Sequence, residues 1–292
     1  MFKKITHTNI KRISNVTPDR FLSQYKDTET PVILSNLTAQ WPALKKWDID
    51  YLSDVGGDAI VPVYSSKPAS GKELQHAATK RIPLRDYLSS LKQGENDLRV
   101  FFYNILKGVP SLLKDFTYPH IGLNFFKRLP VLFIGGRGTK VQMHYDVDMA
   151  DLILIHFGGR KHVALVSPDQ EKYLYRVPFS YSALHSVDLS NPDFEKFPAL
   201  KKVTAQIAIL EHGDALFIPS GYWHYIVYED IGFSLTLRAL RFHPKKIAKL
   251  AKNILFTRTI EAIMRKLFGQ KWNERNEALA VKKTHQRLAK EP

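Results

Sequence analysis

Val131-Leu132-Phe133-Ile134-Gly135-Gly136-Arg137-Gly138-Thr139-Lys140-Val141-Gln142-Met143-His144-Tyr145-Asp146 is the stretch on which the reading of this chain turns. It opens with four apolar residues, breaks at a glycine-rich turn, and returns through Val141, Gln142 and Met143 to His144. In an extended strand successive side chains point to opposite faces, so residues two apart share a face. His144 and Asp146 then aim an imidazole and a carboxylate at one point, and Tyr145 faces the other way. One more ligand would complete a two-histidine, one-carboxylate facial triad. That set holds non-haem Fe(II) and leaves coordination positions open. The candidate is His224, in Phe217-Ile218-Pro219-Ser220-Gly221-Tyr222-Trp223-His224, which lies 78 residues after Asp146. A returning strand would bring it back beside the first.

A lone His-x-Asp is a weak signal. With 11 His and 17 Asp in 292 residues, chance supplies roughly 0.6 such matches, and a rival stands at His212-Gly213-Asp214. Its Gly and Asp read as a tight turn before the apolar run Ala215–Ile218, so His212 is set aside. His156 and His162 flank a strand turn and read as core or rim histidines. His120, His185 and His243 sit in loop-like contexts.

Beyond Asp146 the chain reads as short strands: Leu152–Phe157, Val163–Val166, Val203–Leu210, Ala215–Ile218, Tyr225–Tyr228 and Phe233–Leu240. Turn residues separate them, at Gly158-Gly159, Pro168-Asp169, Gly213-Asp214 and Glu229-Asp230. Many short strands at this spacing indicate a sandwich or barrel. Before it, Thr17-Pro18-Asp19 reads as a capped helix start, Pro31–Leu34 as a buried strand and Asp48–Leu52 as a short helix. Ala59–Tyr64 reads as a strand whose proline suggests an edge. Ser65–Lys80 is a loop candidate, Pro83–Leu91 has helical spacing, and Leu98–Ile105 is an apolar strand carrying Tyr103.

From about Val131 to Leu240 the chain resembles the JmjC, or cupin-like, oxygenases, the group that includes the asparaginyl hydroxylase factor inhibiting HIF. Four pieces match in order. They are Val131–Asp146 with its His-x-Asp, Gly159-Arg160-Lys161 leading to Val166-Ser167-Pro168, Asn191-Pro192-Asp193-Phe194 with Phe197-Pro198, and Gly213–Pro219 with Trp223-His224. The resemblance implies a mainly β fold, a double-stranded β-helix (jelly roll) with flanking N-terminal helices and a C-terminal helical extension. It implies Fe(II) held by His144, Asp146 and His224, with 2-oxoglutarate as co-substrate. It implies oxidative decarboxylation of that keto acid coupled to hydroxylation of a substrate C–H bond. By family position Lys161 would pair with the distal carboxylate of 2-oxoglutarate, and Tyr103 either donates its phenol to the same group or packs as a core tyrosine. In this family a loop such as Ser65–Lys80 often covers the substrate groove. The sequence departs from the pattern in places. Val141 stands where the asparaginyl hydroxylase has a threonine, Asp148 and Asp151 occupy the region of a usual asparagine, and the interval from Asp146 to Lys161 is about two residues longer. Arg238 replaces a small or amide residue, and its guanidinium could bind a carboxylate bidentately. It therefore competes with Lys161 for 2-oxoglutarate.

Composition sets the outer bounds. Hydrophobic residues at 44% and aromatics at 12% suit a globular chain. With no Cys, disulfides, thiolate metal sites and a Cys nucleophile are excluded. No apolar run reaches membrane-spanning length, the start lacks a signal peptide's apolar core, and a cytoplasmic protein is the expectation. The net charge of +15 is uneven: Arg241–Pro292 carries 14 Lys or Arg against 4 Glu, a net +10, leaving +5 for the first 240 residues. Residues 1–243 read as the oxygenase domain and 244–292 as a basic helical region. There Ile247, Leu250, Ala251 and Ile254 share one helical face, and Ile260, Ile263, Met264 and Leu267 another. Such a stripe needs a partner. C-terminal helices commonly form a homodimer interface in the resembling family, so a homodimer is the first expectation and a basic amphipathic helix on a membrane the second. RNA or the ribosome could also meet the basic tail.

Three readings of function are open. The first is an Fe(II)- and 2-oxoglutarate-dependent dioxygenase that hydroxylates a protein or peptide side chain. The second is the same chemistry on RNA or a small molecule. The third is a catalytically silent cupin acting as a binding module, which would have no need of all three triad residues.

Overall fold

In the computed structural model, residues 1–65, 67, 71–73, 77–94, 97–241 and 243–291 are described. The strands are β1 (Thr6–Asn9), β2 (Arg12–Ser14), β3 (Val32–Ser35), β4 (Ile60–Tyr64), β5 (Lys80–Pro83), β6 (Arg99–Asn104) and β7 (Val131–Gly135). They continue as β8 (Lys140–His144), β9 (Asp151–Gly158), β10 (Lys161–Val166), β11 (Thr204–Leu210), β12 (Ala215–Ile218), β13 (Trp223–Tyr228) and β14 (Gly232–Ala239). The last eight wind into the two facing four-stranded sheets of a double-stranded β-helix, β11-β10-β13-β8 against β12-β9-β14-β7. β1 extends the first sheet, while β2-β3 and β6-β4-β5 extend the second at its two ends.

Alternation along the strands creates three apolar layers. Val163, Leu165, Leu152, Leu154, Ile226 and Tyr228 face inward and fill the space between the sheets. Ile153, Ile155, Leu235 and Leu237 face out against the N-terminal helices, which supply Phe21, Trp47, Leu52, Tyr87 and Leu88. Trp223, Tyr225, Ala164 and Val166 face out on the other side, against Phe2, Tyr175, Phe197 and Ala280. Every residue of β9 but the last, and all of β13 and β14, is buried, so both barrel sheets are covered.

The helix starts follow the residues. Thr17 caps the helix at Pro18, its hydroxyl accepting from the Arg20 N–H at 3.4 Å. Asp48 caps Ile49–Gly56 by accepting from the Tyr51 N–H at 2.8 Å. The edge position expected for the strand with Pro62 is not found, because β5 and β6 flank β4 on both sides. Val63 accepts from the Thr79 N–H, so Pro62 turns its missing donor toward β6, where pairing starts only at Val63. The Ser65–Lys80 loop lies in part outside the described residues.

Pro244–Ala251, a wider π-type turn at Lys252–Thr257, and Arg258–Phe268 run on as a continuous helical stretch before Gln270–Leu288 turns back. This tail packs on its own barrel. Trp272 and Ala280 are buried, His285 Nε2 lies 3.1 Å from the Tyr175 hydroxyl, and Glu291 pairs with Lys172 and Lys202. No helix among the described residues is long and apolar enough to cross a membrane.

Candidate metal centre

His144 ends β8 and stands opposite His224 of β13 in the ladder. Asp146 follows two residues on. One ligand atom from each of His144, Asp146 and His224 falls within 4.8 Å of the others. The two imidazole centroids are 4.1 Å apart, and His144 Nε2 lies 4.0 Å from Asp146 Oδ1. Tyr145 faces away as alternation requires, buried against Trp223.

Backbone contacts fix both rings. His144 Nδ1 lies 2.7 Å from the Gln142 carbonyl and His224 Nδ1 lies 3.3 Å from the Tyr222 carbonyl. A carbonyl only accepts, so each Nδ1 carries the proton and each Nε2 lone pair is left for a metal. Burial pushes the His224 imidazole down despite the pull of Asp146, which favours the neutral form a ligand needs. Burial alone would raise the Asp146 carboxyl, but Arg238, His224 and His144 together hold it below its usual value. Two imidazoles and one carboxylate are the donor set that would hold a divalent ion of the Fe(II) type.

Arg238, on the inner face of β14, is 3% exposed. Its Nη1 reaches Asp148 Oδ2 at 2.7 Å and Asp146 Oδ2 at 3.2 Å, and its guanidinium lies 4.8 Å from the Phe102 ring centroid. Lys161, on the inner face of β10, is 1% exposed and has no carboxylate partner among the described residues. Its ammonium donates to the Ser234 hydroxyl and sits 4.2 Å from the Tyr228 ring centroid. Burial pushes it down to about 7. Two glycines make room for this pocket: a Cβ on Gly135 would come within 2.8 Å of the Tyr228 ring, and one on Gly232 within 2.6 Å of the His156 ring. Ser234, Thr236 and Arg238 share one face of β14, so the two cations are joined by a polar floor. On that floor the Thr236 hydroxyl and Arg238 Nε are buried with no partner among the described residues.

Tyr103 is not brought to this pocket. Its ring packs in the outer core with the hydroxyl against Gly108. A bulge between Val100 and Tyr103, with Phe102 at φ 54°, resets the faces of β6. Phe101 therefore turns toward the metal end, 6.4 Å from the His144 ring. Ser234, Tyr228 and Thr236 were missed from sequence, although the two-residue spacing from Arg238 and His224 carried the signal. His212 lies outside the barrel, between the Gly158 N–H and the Leu44 carbonyl, in the expected turn with Gly213 at φ 89°. His156 is buried, pushed down to about 3, and His162 pairs with Glu229 at 2.6 Å. A groove of about 1370 Å³ runs outward from His144 past Gln142, Ser182 and Arg265.

The model of the cupin-like domain matches residues 18–247. The chain belongs to the cupin-like family. Its cupin-like segment is shared with tRNA wybutosine-synthesizing protein 5 of Gallus gallus, at 30% identity over 249 residues, 78% of this chain and 76% of that protein. Lysine-specific demethylase 8 of Xenopus tropicalis is 29% identical over 239 residues, 79% of this chain and 53% of that protein. JmjC domain-containing protein D of Dictyostelium discoideum is 28% identical over 251 residues, 77% of this chain and 55% of that protein. The chain thus spans three quarters of the first relative and about half of the other two. Together with the His144, Asp146 and His224 cluster, these matches make this cupin-like chain a JmjC-type oxygenase of the 2-oxoglutarate-dependent class.

Proposed function

We propose that the protein hydroxylates protein side chains, with Fe(II) at His144, Asp146 and His224 and 2-oxoglutarate reaching from there to Lys161. One observation carries this reading: three ligand atoms cluster at one end of the barrel interior, and at the other a buried cation has no carboxylate partner among the described residues. When bound, Fe(II) with 2-oxoglutarate and O₂ supplies oxidative decarboxylation coupled to insertion of one oxygen atom into a C–H bond. The chain's own residues bind, orient and shield. The two histidines offer Nε2 because the Gln142 and Tyr222 carbonyls hold Nδ1–H. Arg238 steadies the outer oxygen of Asp146. Lys161 and Ser234 receive the distal carboxylate, and the Thr236 hydroxyl is available to the chain between. Phe101 and Phe133, 5.3 Å apart, pack edge to face at the metal end and exclude water. The groove of about 1370 Å³ exceeds the roughly 300–1,000 Å³ typical of small-molecule sites, which supports a macromolecular substrate. The test is succinate formation from 2-oxoglutarate by the Fe(II)-loaded protein without added substrate. Slow turnover is expected. Protein that neither binds 2-oxoglutarate nor makes succinate would sink the reading and leave a silent binding module.

The tail supports a homodimer. Ile254, Ile263 and Leu267 are 43%, 52% and 65% exposed, beside exposed Leu255, Phe256 and Phe268. A second copy is the occupant the reading assigns to this face. Leu267→Glu should convert a dimer to a monomer by light scattering, and a wild type that is monomeric at micromolar concentration rules the interface out. RNA or ribosome binding through the basic tail is the competing assignment of the same face.

A further inference from the structure

The cupin-like match ends at residue 247, yet part of the groove wall comes from the helices beyond it: Glu261, Arg265, Trp272, Asn273, Asn276 and Glu277. An amphipathic helix normally turns apolar residues inward. This tail largely does the reverse. Asn253, Thr257, Arg265, Asn273, Asn276 and Thr284 are buried, each at least nine-tenths, while Ile254, Leu255, Phe256, Ile263, Leu267 and Phe268 are exposed. Buried polar groups are ordinarily hydrogen-bonded. Arg265 Nε holds Glu261 and Asn273 Nδ2 donates to Gln270 at 3.3 Å. Arg265 Nη1, Asn273 Oδ1 and Asn276 Oδ1 are buried with no partner among the described residues. Asn273 and Asn276 are three apart and share one helical face.

One unpaired donor and two unpaired acceptors on a single wall define what the missing ligand must bring. It must offer carbonyl-type acceptors and N–H donors side by side. A peptide main chain alternates the two, whereas a phosphodiester backbone offers acceptors alone. Charge points the same way. The described residues lining the groove include six Lys or Arg and five Asp or Glu, a near balance in a chain of net charge +15. A nucleic-acid channel would concentrate the cations. We propose that the Arg265, Asn273 and Asn276 face grips the main chain of an extended peptide and so feeds one of its side chains to the metal centre. This rests on the preceding reading only in taking the groove as the route to the metal. It assigns substrate selection to helices that lie beyond the family match.

The test uses the 292-residue chain loaded with Mn(II) and 2-oxoglutarate. Fluorescence anisotropy is followed with a random pool of end-capped 15-residue peptides and, separately, a random 15-nucleotide single-stranded RNA pool. Main-chain recognition tolerates sequence, so the peptide pool should bind with little dependence on salt. Asn273→Leu with Asn276→Leu should weaken it about tenfold or more. Asn276→Asp, which keeps an oxygen acceptor, should stay within about threefold of wild type. Circular dichroism melting checks that each variant is folded. If the double leucine variant does not fold, the single Asn276→Leu against Asn276→Asp decides. Equal peptide binding by a folded leucine variant overturns the proposal. So does a wild type that binds the RNA pool in place of the peptides, or neither pool. A Mn(II) titration of wild type separates the two readings. Metal bound without peptide overturns this inference alone, and no metal bound overturns the earlier one.

Discussion

Two buried cations face the barrel interior, and the fold treats them in opposite ways. Arg238, at the metal end, lies against the carboxylates of Asp146 and Asp148. Lys161, at the far end, has a hydroxyl and an aromatic ring and burial has pushed it down to about 7. A buried charge is costly unless an opposite charge accompanies it. Arg238 is compensated within the chain, so its guanidinium is a fixture of the metal site. Lys161 has no such partner among the described residues, and under the proposed function the distal carboxylate of 2-oxoglutarate supplies it. Charge compensation, more than burial, is what distinguishes the two cations.

Breaking the metal end should have the largest effect. His144→Ala or His224→Ala should cut Mn(II) or Fe(II) affinity beyond the roughly 10–100-fold that losing an outer hydrogen-bond partner costs, while His212→Ala should leave it near wild type by calorimetric titration. Equal losses at His212 and His144 would show that the wrong His-x-Asp was chosen. Next comes the far end. Lys161→Ala should weaken 2-oxoglutarate by about 2–5 kcal/mol, roughly 30- to 4,000-fold, with metal affinity little changed. A larger loss with Arg238→Ala would reverse the roles of the two cations.

Stability of the metal-free protein sharpens the contrast further, because the two substitutions should act with opposite sign. Arg238→Met strands two carboxylates and should destabilise by about 3 kcal/mol. Lys161→Met removes an uncompensated buried charge and should raise stability by on the order of 1–3 kcal/mol, read in urea melts at pH 7. The smallest effects are in pH. In the fold Lys161 loses its proton near 7, against 10.5 when exposed. The unfolded chain therefore binds more protons between these values, and this group's contribution to stability rises with pH across that window. Its cost is present in full below about 7. The slope should vanish in Lys161→Met. A 2-oxoglutarate carboxylate restores the charged form, so affinity should fall above pH 7, by at most about tenfold per unit. An affinity flat from pH 7 to 9 would mean that Lys161 is not the anchor.

The triad was legible because it needs only strand alternation and one returning strand, and the β8–β13 ladder supplies both. Lys161 was singled out by its place in the family pattern, and the structure puts it on the buried inner face of β10. Of the two readings of Tyr103 the core one holds, and alternation could not choose between them, because it holds only in an unbroken strand and the bulge after Val100 reverses the faces of β6. Pro62 misled for a related reason, since a strand can be internal to the sheet where its flanking ladder starts one residue later. In the tail, periodicity located the apolar stripe at Ile254, Ile263 and Leu267. Which side of the helices would meet the barrel is a matter of packing, and there the polar residues Asn253, Asn273 and Asn276 went inward.

The π-type turn at Lys252–Thr257 places Asn253 against the metal loop. Its amide donates to the Val147 carbonyl at 3.1 Å and accepts from the Tyr145 hydroxyl at 3.3 Å, gripping the residues on either side of Asp146. Val147 and Asn253 are 106 positions apart, which is roughly 5 to 20 s of ribosomal synthesis. A nascent chain therefore makes its metal-ligand loop well before the clasp that holds it. Iron loading in the cell should wait for the last helices to leave the ribosome.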